Sequence, residues 1–591
     1  MAGTMNDGVN AIAGSVRLDR NVEARMRDGT VLRADLYRPA SGGRHPVLLQ
    51  RTPYNKEFLP LTALTLDPLR AARAGYNVVI QDVRGRWASD GGPFFLYRDE
   101  AADGRDTVAW ASDADWSDGR LGAYGVSYMG GTTWHAATSG DPALLALSPT
   151  TAPCDFWRDH MWRGGALNWG LLVNWSLQAI GPAALLRANK DKSDRDASFL
   201  QLVDDIDAFD ERVRALPLRD FAPARADDAE FLPFFREVPR HPAPDAWTDA
   251  LLIAGKHRNV RAPALIIAGW HDIMLDGDLE HFASMQQHAA TEQARRATRI
   301  VIGPWSHGMF GSTVGDVDFG MRASGATLDL REDLTSLQLR WFDRWLKGER
   351  NGVDEEAPVR IFVQGLNRWR GETSWPLARA RSTRLYLRSK HGLSWEPPGA
   401  SEIEDAYPYD PRDPRPTCGG SLLMPAVYRR GPVDQSPILS RSDVLTYTSD
   451  VLASDLEVTG PVTFVLYAAS DARDTDWMVK LCDVHADGRT LNVTDGVLRA
   501  SYRESATSRR LLEPGAVVRY EIALHPTSML FRAGHRLAVL ITSSDFPRYD
   551  RNPNTGELGI DARTFATARQ KVFHDSVRAS HLMLPIIPNE P

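Results

Sequence analysis

The stretch Gly122-Ala123-Tyr124-Gly125-Val126-Ser127-Tyr128-Met129-Gly130-Gly131 constrains the fold of this chain more than any other. A short apolar run leads into Gly125, and a helix-compatible segment leaves from Tyr128 and ends near Gly140. Where a strand turns that sharply into a helix, neighbouring chain crowds the turn and glycine is needed because a Cβ would clash. A serine on such a turn holds its hydroxyl above the sheet, with the N-terminus of the next helix beneath it. The spelling departs from the usual G-x-S-x-G, because Met129 occupies the second glycine's place and the glycine falls at 130.

Other segments extend the same pattern. The runs at 47–49 (after Pro46), 76–80, 264–268 and 299–302 are short and apolar, and helix-length segments separate them. Such alternation predicts a parallel α/β sheet buried on both faces. Leu334, Leu337, Trp341, Phe342 and Trp345 recur at helical spacing before Gly348, which predicts an amphipathic helix against that sheet. Between about 155 and 253 strand signals vanish, and segments such as 199–203 and 231–235 sit among Asp, Arg and Pro. A mostly helical insertion is expected there. After about 374, runs at 385–387, 462–467, 518–524 and 537–541 follow one another without helices between them, as in a sandwich or jelly roll. The expected division is a core formed by 1–154 and 254–374, a helical cap at 155–253, and an all-β jelly-roll domain at 375–591.

Composition removes several classes of function. The 591 residues are 43% apolar and 25% charged, enough apolar surface to fold, and the net charge of −7 offers no basic footprint for nucleic acid. Cys154, Cys418 and Cys482 are too few and scattered for a disulfide framework, and no CxxC or HExxH occurs, so neither metal nor cofactor is expected. The first twenty residues lack a basic region followed by an apolar core, and no run of about 18 apolar residues exists. A cytoplasmic protein without membrane contact is expected.

A catalytic order emerges once Ser127 is set beside two later loops. Gly269-Trp270-His271-Asp272 follows the run at 264–268, and Gly303-Pro304-Trp305-Ser306-His307-Gly308 follows the run at 299–302. Ser127, Asp272 and His307 thus stand in the chain order nucleophile, acid, base, each just past a strand, as an α/β-hydrolase requires. Asp276 and Asp278 are rival acids farther from the strand end, and His271 is a rival base crowded by Asp272. One oxyanion donor is expected from the backbone N–H of Tyr128. The second should come from the early loop Arg51-Thr52-Pro53-Tyr54-Asn55-Lys56, which has no glycine run, so the Tyr54 hydroxyl is its candidate donor.

The set RTPYNK, VVIQDVRGRWASDG at 78–91, GVSYMGG, AGWHD and GPWSHG resembles the bacterial cocaine esterase family, which is related to X-prolyl dipeptidyl peptidases and α-amino acid ester hydrolases. PVTFVLYAASDARDTDWMVKL at 461–481 and FPRYDRNPNTG at 546–556 carry the likeness over nearly the whole chain. The resemblance implies an α/β-hydrolase core, an inserted helical cap and a C-terminal jelly roll, with an elbow of the form G-x-S-Y-x-G. It also implies Ser127 as nucleophile, His307 as base, Asp272 as its orienter, and Tyr54 with the Tyr128 amide as oxyanion donors.

Specificity is read from the pocket. Trp157, Trp162, Trp169 and Trp175 cluster at the start of the insertion, where aromatic rings over the triad would line an apolar acyl pocket. Trp175 fits the aromatic pocket that holds a benzoyl group in the cocaine-hydrolysing member. His160 and Met274 stand where aromatic residues are expected, and Leu423-Met424 again places Met for an aromatic, which argues against cocaine as substrate. The function expected is serine ester hydrolysis of a small-molecule ester with a small apolar acyl or aryl group. The alternatives are an X-Pro dipeptidyl peptidase or α-amino acid ester acylase, and a binding protein on a dead hydrolase core. A peptidase requires an acidic recess, for which Asp155, Asp159, Asp204, Asp205 and Asp207 are available. A homodimer is compatible with the sequence, which does not fix the oligomeric state.

Overall fold

The computed structural model describes residues 16–188, 195–218 and 232–588; the N-terminal reading of residues 1–15 and the insertion residue Phe231 lie outside them. Ten strands form the core sheet: β1 (Val16–Arg25), β2 (Val31–Pro39), β3 (His45–Thr52), β4 (Asn77–Asp82), β5 (Ser117–Val126), β6 (Leu144–Thr150), β7 (Leu265–His271), β8 (Arg299–Ser306), β9 (Val359–Val363) and β10 (Arg368–Glu372). Their spatial order is β1-β2-β4-β3-β5-β6-β7-β8-β9-β10. From β4 to β9 every pairing is parallel, while β1, β2 and β10 add antiparallel edges.

The unbroken apolar runs exist because both faces of this sheet are covered. Val47, Leu49, Ile266, Ile300 and Ile302 belong to one buried cluster, and Leu48, Leu265, Ile267 and Val301 to the other, so successive residues point to opposite cores. Helices α1 (Glu100–Asp113), α2 (Tyr128–Ala137) and α3 (Leu275–His288) cover the first face through Val108, Trp134 and Phe282. Helix α4 (Leu334–Phe342) covers the second with Leu334, Leu337, Trp341 and Phe342, and Asp333 caps it by accepting the Ser336 N–H at 2.7 Å. The helix expected to reach 346 instead opens into a π-turn over Asp343–Lys347, and Gly348 ends it at φ 75°. Each fully buried Leu, Ile, Val or Phe here contributes roughly 1.5–3 kcal/mol.

The chain leaves β3 towards β4 on one side and returns to β5 on the other. In open α/β sheets the crevice beyond the strand ends at such a reversal is where ligands bind. Tyr54 follows β3 and Ser127 follows β5, so both lie at that crevice.

Between β6 and β7 the chain forms the cap. Its described residues are mainly short helices, with π-turns at Phe156–His160 and Trp175–Ile180. It also contains a hairpin absent from the sequence expectation, Trp162–Arg163 against Ala166–Leu167. That hairpin is too short to show a period, and docking on the third domain holds it: the Arg499 N–H donates to Gly164 O at 2.7 Å.

The third unit is all-β, a 13-stranded sheet assembly enclosing Leu385, Tyr447, Phe464, Trp477, Tyr520, Val539 and Leu582. Asp550 ties it to the cap, accepting the Leu167 N–H at 2.8 Å while it pairs with Arg499 at 2.9 Å. Gln364, just past β9, ties it to the core by donating its N–H to Ser528 O at 3.0 Å. No helix among the described residues is long and apolar enough to cross a membrane.

Candidate active site

Ser127 sits between β5 and α2 at φ 60° and ψ −124°, a left-handed conformation that a non-glycine residue holds only against a cost of about 1–3 kcal/mol. Its N–H is fixed to Thr150 O at 2.9 Å. A Cβ on Gly125 would lie 2.5 Å from Met129 O, and one on Gly130 would lie 2.9 Å from Ala152 Cβ and 3.0 Å from Thr150 O. The steric demand therefore falls at 125 and 130. Met129 is free to bury its side chain completely, which is the physical reason for the shifted glycine.

The loops after β7 and β8 bring the remaining groups to this serine. His307 Nδ1 lies 3.0 Å from both carboxylate oxygens of Asp272, so it donates there. Its Nε2 is left as acceptor for the Ser127 hydroxyl at 2.8 Å. Asp272 is fully buried, and the Met274 N–H donates to its Oδ1 at 2.8 Å. The rival groups are engaged elsewhere. Asp276 pairs with Arg163 and, at 2.9 Å, with His525; Asp278 accepts the Ala152 N–H at 2.9 Å. His271 faces Gln364 Oε1 at 2.7 Å.

Tyr54 is held on the opposite side of Ser127. The Trp175 indole N–H donates to the Tyr54 hydroxyl at 2.9 Å, which leaves the phenol's own proton available. Burial pushes the Tyr54 pKa up to about 12, against the opposing hydrogen bonds from Trp175 and Ser127, so the donor stays protonated. Pro53 O beside it accepts from Arg86 Nε and Trp87 Nε1, both at 2.9 Å, and Lys56 is buried 3.6 Å from Asp35 and from Asp82. Asp82, Arg86 and Trp87 all lie in the 78–91 run. No local pattern in that run marks its task, which appears only once Asp82 and Arg86 are buried against the Tyr54 loop. The Tyr128 N–H, first in α2, has no partner within its helix. The Tyr128 ring stacks on Tyr97 at 4.1 Å, and its hydroxyl donates to Glu100 at 2.9 Å.

A cleft of about 540 Å³ opens over Ser127 and His307. The core contributes Tyr54, Phe58, Leu61 and Leu64, the cap Trp175, Gln178, Ala179 and Pro182, and the β domain Leu423 and Arg430. Two expected pocket residues are elsewhere. Met274 is buried in the cap-side apolar cluster, and its backbone N–H donates to Asp272. Met424 turns away from its neighbour Leu423 to pack against Gly170, where an added Cβ would meet its sulfur at 2.7 Å. Among the four tryptophans only Trp175 lines the cleft. Trp157 donates its indole N–H to His241 O at 3.1 Å and Trp169 to Val213 O at 3.0 Å, so these rings, like buried Trp162, pack the cap. His160 is buried beside Tyr97 and Phe156, and desolvation, then the neighbouring His307, lowers its pKa to about 3.

The acidic recess that a peptidase would require does not form from these residues at the cleft. Asp159 accepts backbone N–H groups of Cys154 and Asp155, Asp155 caps the turn after it, Asp205 pairs with Arg212, and Asp204 and Asp207 are exposed. Among the described residues, two groups of side chains each offer three metal-ligand atoms within 4.8 Å of one another, Cys154–His257–His281 and Asp483–His485–His535. In each a member distant in sequence completes the group, Cys154 in the first and His535 in the second, which is why no spacing motif announced them. Neither includes a residue of the triad.

Comparison with known proteins agrees with this layout. Residues 28–309 match the family described as X-Pro dipeptidyl-peptidase (S15 family), and residues 351–583 match the X-Pro dipeptidyl-peptidase C-terminal non-catalytic domain. Cocaine esterase from Rhodococcus sp. (strain MB1 Bresler) is 37% identical over 98% of this chain and 100% of its own. An α-amino acid ester hydrolase structure is 26% identical with a TM-score of 0.78, covering 99% of this chain and 100% of that one. An aminopeptidase structure from a marine sediment Thaumarchaeota archaeon is 25% identical with a TM-score of 0.79, covering 97% of both chains. The chain belongs to the cocaine esterase family of serine hydrolases.

Proposed function

We propose that this protein hydrolyses carboxylic esters with a compact apolar acyl or aryl group through an acyl-enzyme on Ser127. One observation carries the reading: the 2.8 Å and 3.0 Å relay from Ser127 through His307 to Asp272 opens onto a cleft whose wall, among the described residues, contains no carboxylate. His307 Nε2 takes the Ser127 proton as Oγ attacks the ester carbonyl, and Asp272 steadies the imidazolium that forms. The oxyanion falls between the Tyr54 hydroxyl and the Tyr128 N–H, donors already in place before charge develops. His307 then protonates the departing alcohol, and water repeats the sequence to release the acid.

Phe58, Leu61, Leu64 and Leu423 favour an apolar acyl chain, each buried methylene contributing about 0.8 kcal/mol. A free α-ammonium, which a dipeptidyl peptidase must hold, finds no anionic partner there, and burying it unpaired costs several kcal/mol. A cytoplasmic location belongs with this reading, since all three cysteines are free. The test is kcat/KM for acetyl through hexanoyl and benzoyl p-nitrophenyl esters beside Gly-Pro-p-nitroanilide. Esters are expected to lead throughout; a dipeptide amide turned over faster than every ester overturns the proposal in favour of a peptidase.

A further inference from the structure

Among the described residues the cleft wall holds one arginine, and it has no anionic partner. Arg430 reaches the catalytic crevice on a loop of the β domain, beside Leu423. That loop is built to hold it: Gly420 and Gly431 exchange two backbone hydrogen bonds of 2.8 Å, pinning the residue directly after Arg430. Arg430 Nη1 donates to the carbonyl oxygen of His307 at 2.7 Å, which sets the guanidinium next to the base of the relay. A guanidinium carries five N–H donors in a planar fork, so this bond leaves most of them unused.

Other arginines of the interior find either a carboxylate or several carbonyls: Arg86 donates to Pro53 O and Ile180 O, Arg299 to Ala297 O, Val353 O and Asp354 O, and Arg551 to Pro411 O and Arg214 O. Arg51, Arg415, Arg499 and Arg548 each face a carboxylate oxygen, at 2.7, 3.1, 2.9 and 2.8 Å respectively. Arg430 forms no ion pair among the described residues. Its strongest influence is burial, which pulls its pKa below the ordinary arginine value, and the opposing field comes from Asp272, already turned to His307. Arginine nevertheless stays protonated at any working pH, so the cleft keeps a half-buried positive charge that lacks a counter-charge.

We propose that Arg430 supplies the missing half of an ion pair with the substrate, selecting esters that bear a carboxylate on the acyl or the alcohol side. This inference rests on the ester-hydrolase reading above and names the substrate class within it. A carboxylate matches the planar fork with two parallel hydrogen bonds, whereas an ammonium-bearing ester meets like charge. The apolar walls then accommodate the methylenes or ring between the carboxylate and the scissile carbonyl.

Two matched pairs separate the acyl and alcohol sides: p-nitrophenyl hemiglutarate against p-nitrophenyl valerate, and 4-acetoxybenzoate against its methyl ester. The readout is the anionic-to-neutral ratio of kcat/KM, which cancels any effect Arg430 exerts through His307. At least one pair should favour the anionic ester in the wild type by about tenfold or more, an advantage that shrinks at high salt. Arg430→Gln should lower that ratio by about tenfold, and Arg430→Lys should keep part of it, since charge without the fork still attracts. A ratio unchanged by Arg430→Gln, or neutral esters favoured in both wild-type pairs, overturns the inference while leaving the esterase reading standing. The salt dependence of the wild type decides the matter even where a variant fails to fold. No turnover of any ester overturns both.

Discussion

The catalytic corner and the cap above it are built on opposite principles. In the corner, side chains are aimed by backbone: Ser127, Asp272, His307 and Tyr54 each leave the C-terminal end of a parallel strand, and main-chain bonds such as Ser127 N–H to Thr150 O fix their bases. In the cap, tryptophan and phenylalanine side chains pack mainly on one another, and an indole N–H takes a nearby carbonyl, as Trp157 takes His241 O. Changes in the corner should therefore alter rate at constant fold, and changes in the cap should alter stability or selectivity. Trp175 is where the two regions meet, as a cap residue whose indole bonds to Tyr54.

Removing the nucleophile is the harshest test of this contrast. Ser127→Ala is expected to lower kcat by about 10⁶-fold while circular dichroism and Tm stay close to wild type. A large Tm loss would mean that the elbow carries packing as well as chemistry. Tyr54→Phe deletes an oxyanion donor without changing shape and should lower kcat by roughly 10²–10³-fold with little change in KM. The same hydroxyl fixes an alkaline limit. Its pKa is raised to about 12, so the donating form persists below that pH. Tyr54 should thus cause no fall in wild-type kcat between pH 8 and about 10, where an ordinary tyrosine would be half ionised. A decline there that Tyr54→Phe abolishes would contradict the assignment.

Weaker effects sharpen the boundary. Trp175→Phe loses the bond to Tyr54 and part of the cleft wall, and should lower kcat/KM by up to about tenfold. Trp157→Phe loses only the bond to His241 O, a net change of about 0.5–1.5 kcal/mol. It should lower Tm slightly and leave ester kinetics within about twofold. Should the Trp157 variant instead change the preference among acyl chains, the cap would shape the pocket more deeply than its packing indicates.

This division also explains what was readable in the chain. Core strands β3, β4, β5, β7 and β8, the helix containing Trp341 and the order of Ser127, Asp272 and His307 follow from local signals, because a parallel sheet writes its strand ends into short apolar runs with turns after them; β6, β9 and β10 went unread. The displaced glycine at 130 was visible and matched the form the resemblance implied, but its physical cause was not legible, since it lies at the end of β6 at Thr150 and just past it at Ala152. The pocket was the least legible part. Whether Met424 or Leu423 faces the cleft depends on how one loop of the β domain lies against Gly170, and two of the four clustered tryptophans, Trp157 and Trp169, answer to cap carbonyls that no local pattern marks. Arg430 gave no signal at all, because its meaning is the absence of a partner that only the assembled cleft reveals.

The central claim is that Ser127, activated by His307, is the group that attacks the ester. Labelling with a fluorophosphonate, followed by peptide mass spectrometry and residual activity, tests it directly. The account predicts one adduct per chain, located on Ser127, with esterase activity lost in step with labelling and no adduct on Ser127→Ala. An adduct on another residue, or full activity in fully labelled protein, would contradict it.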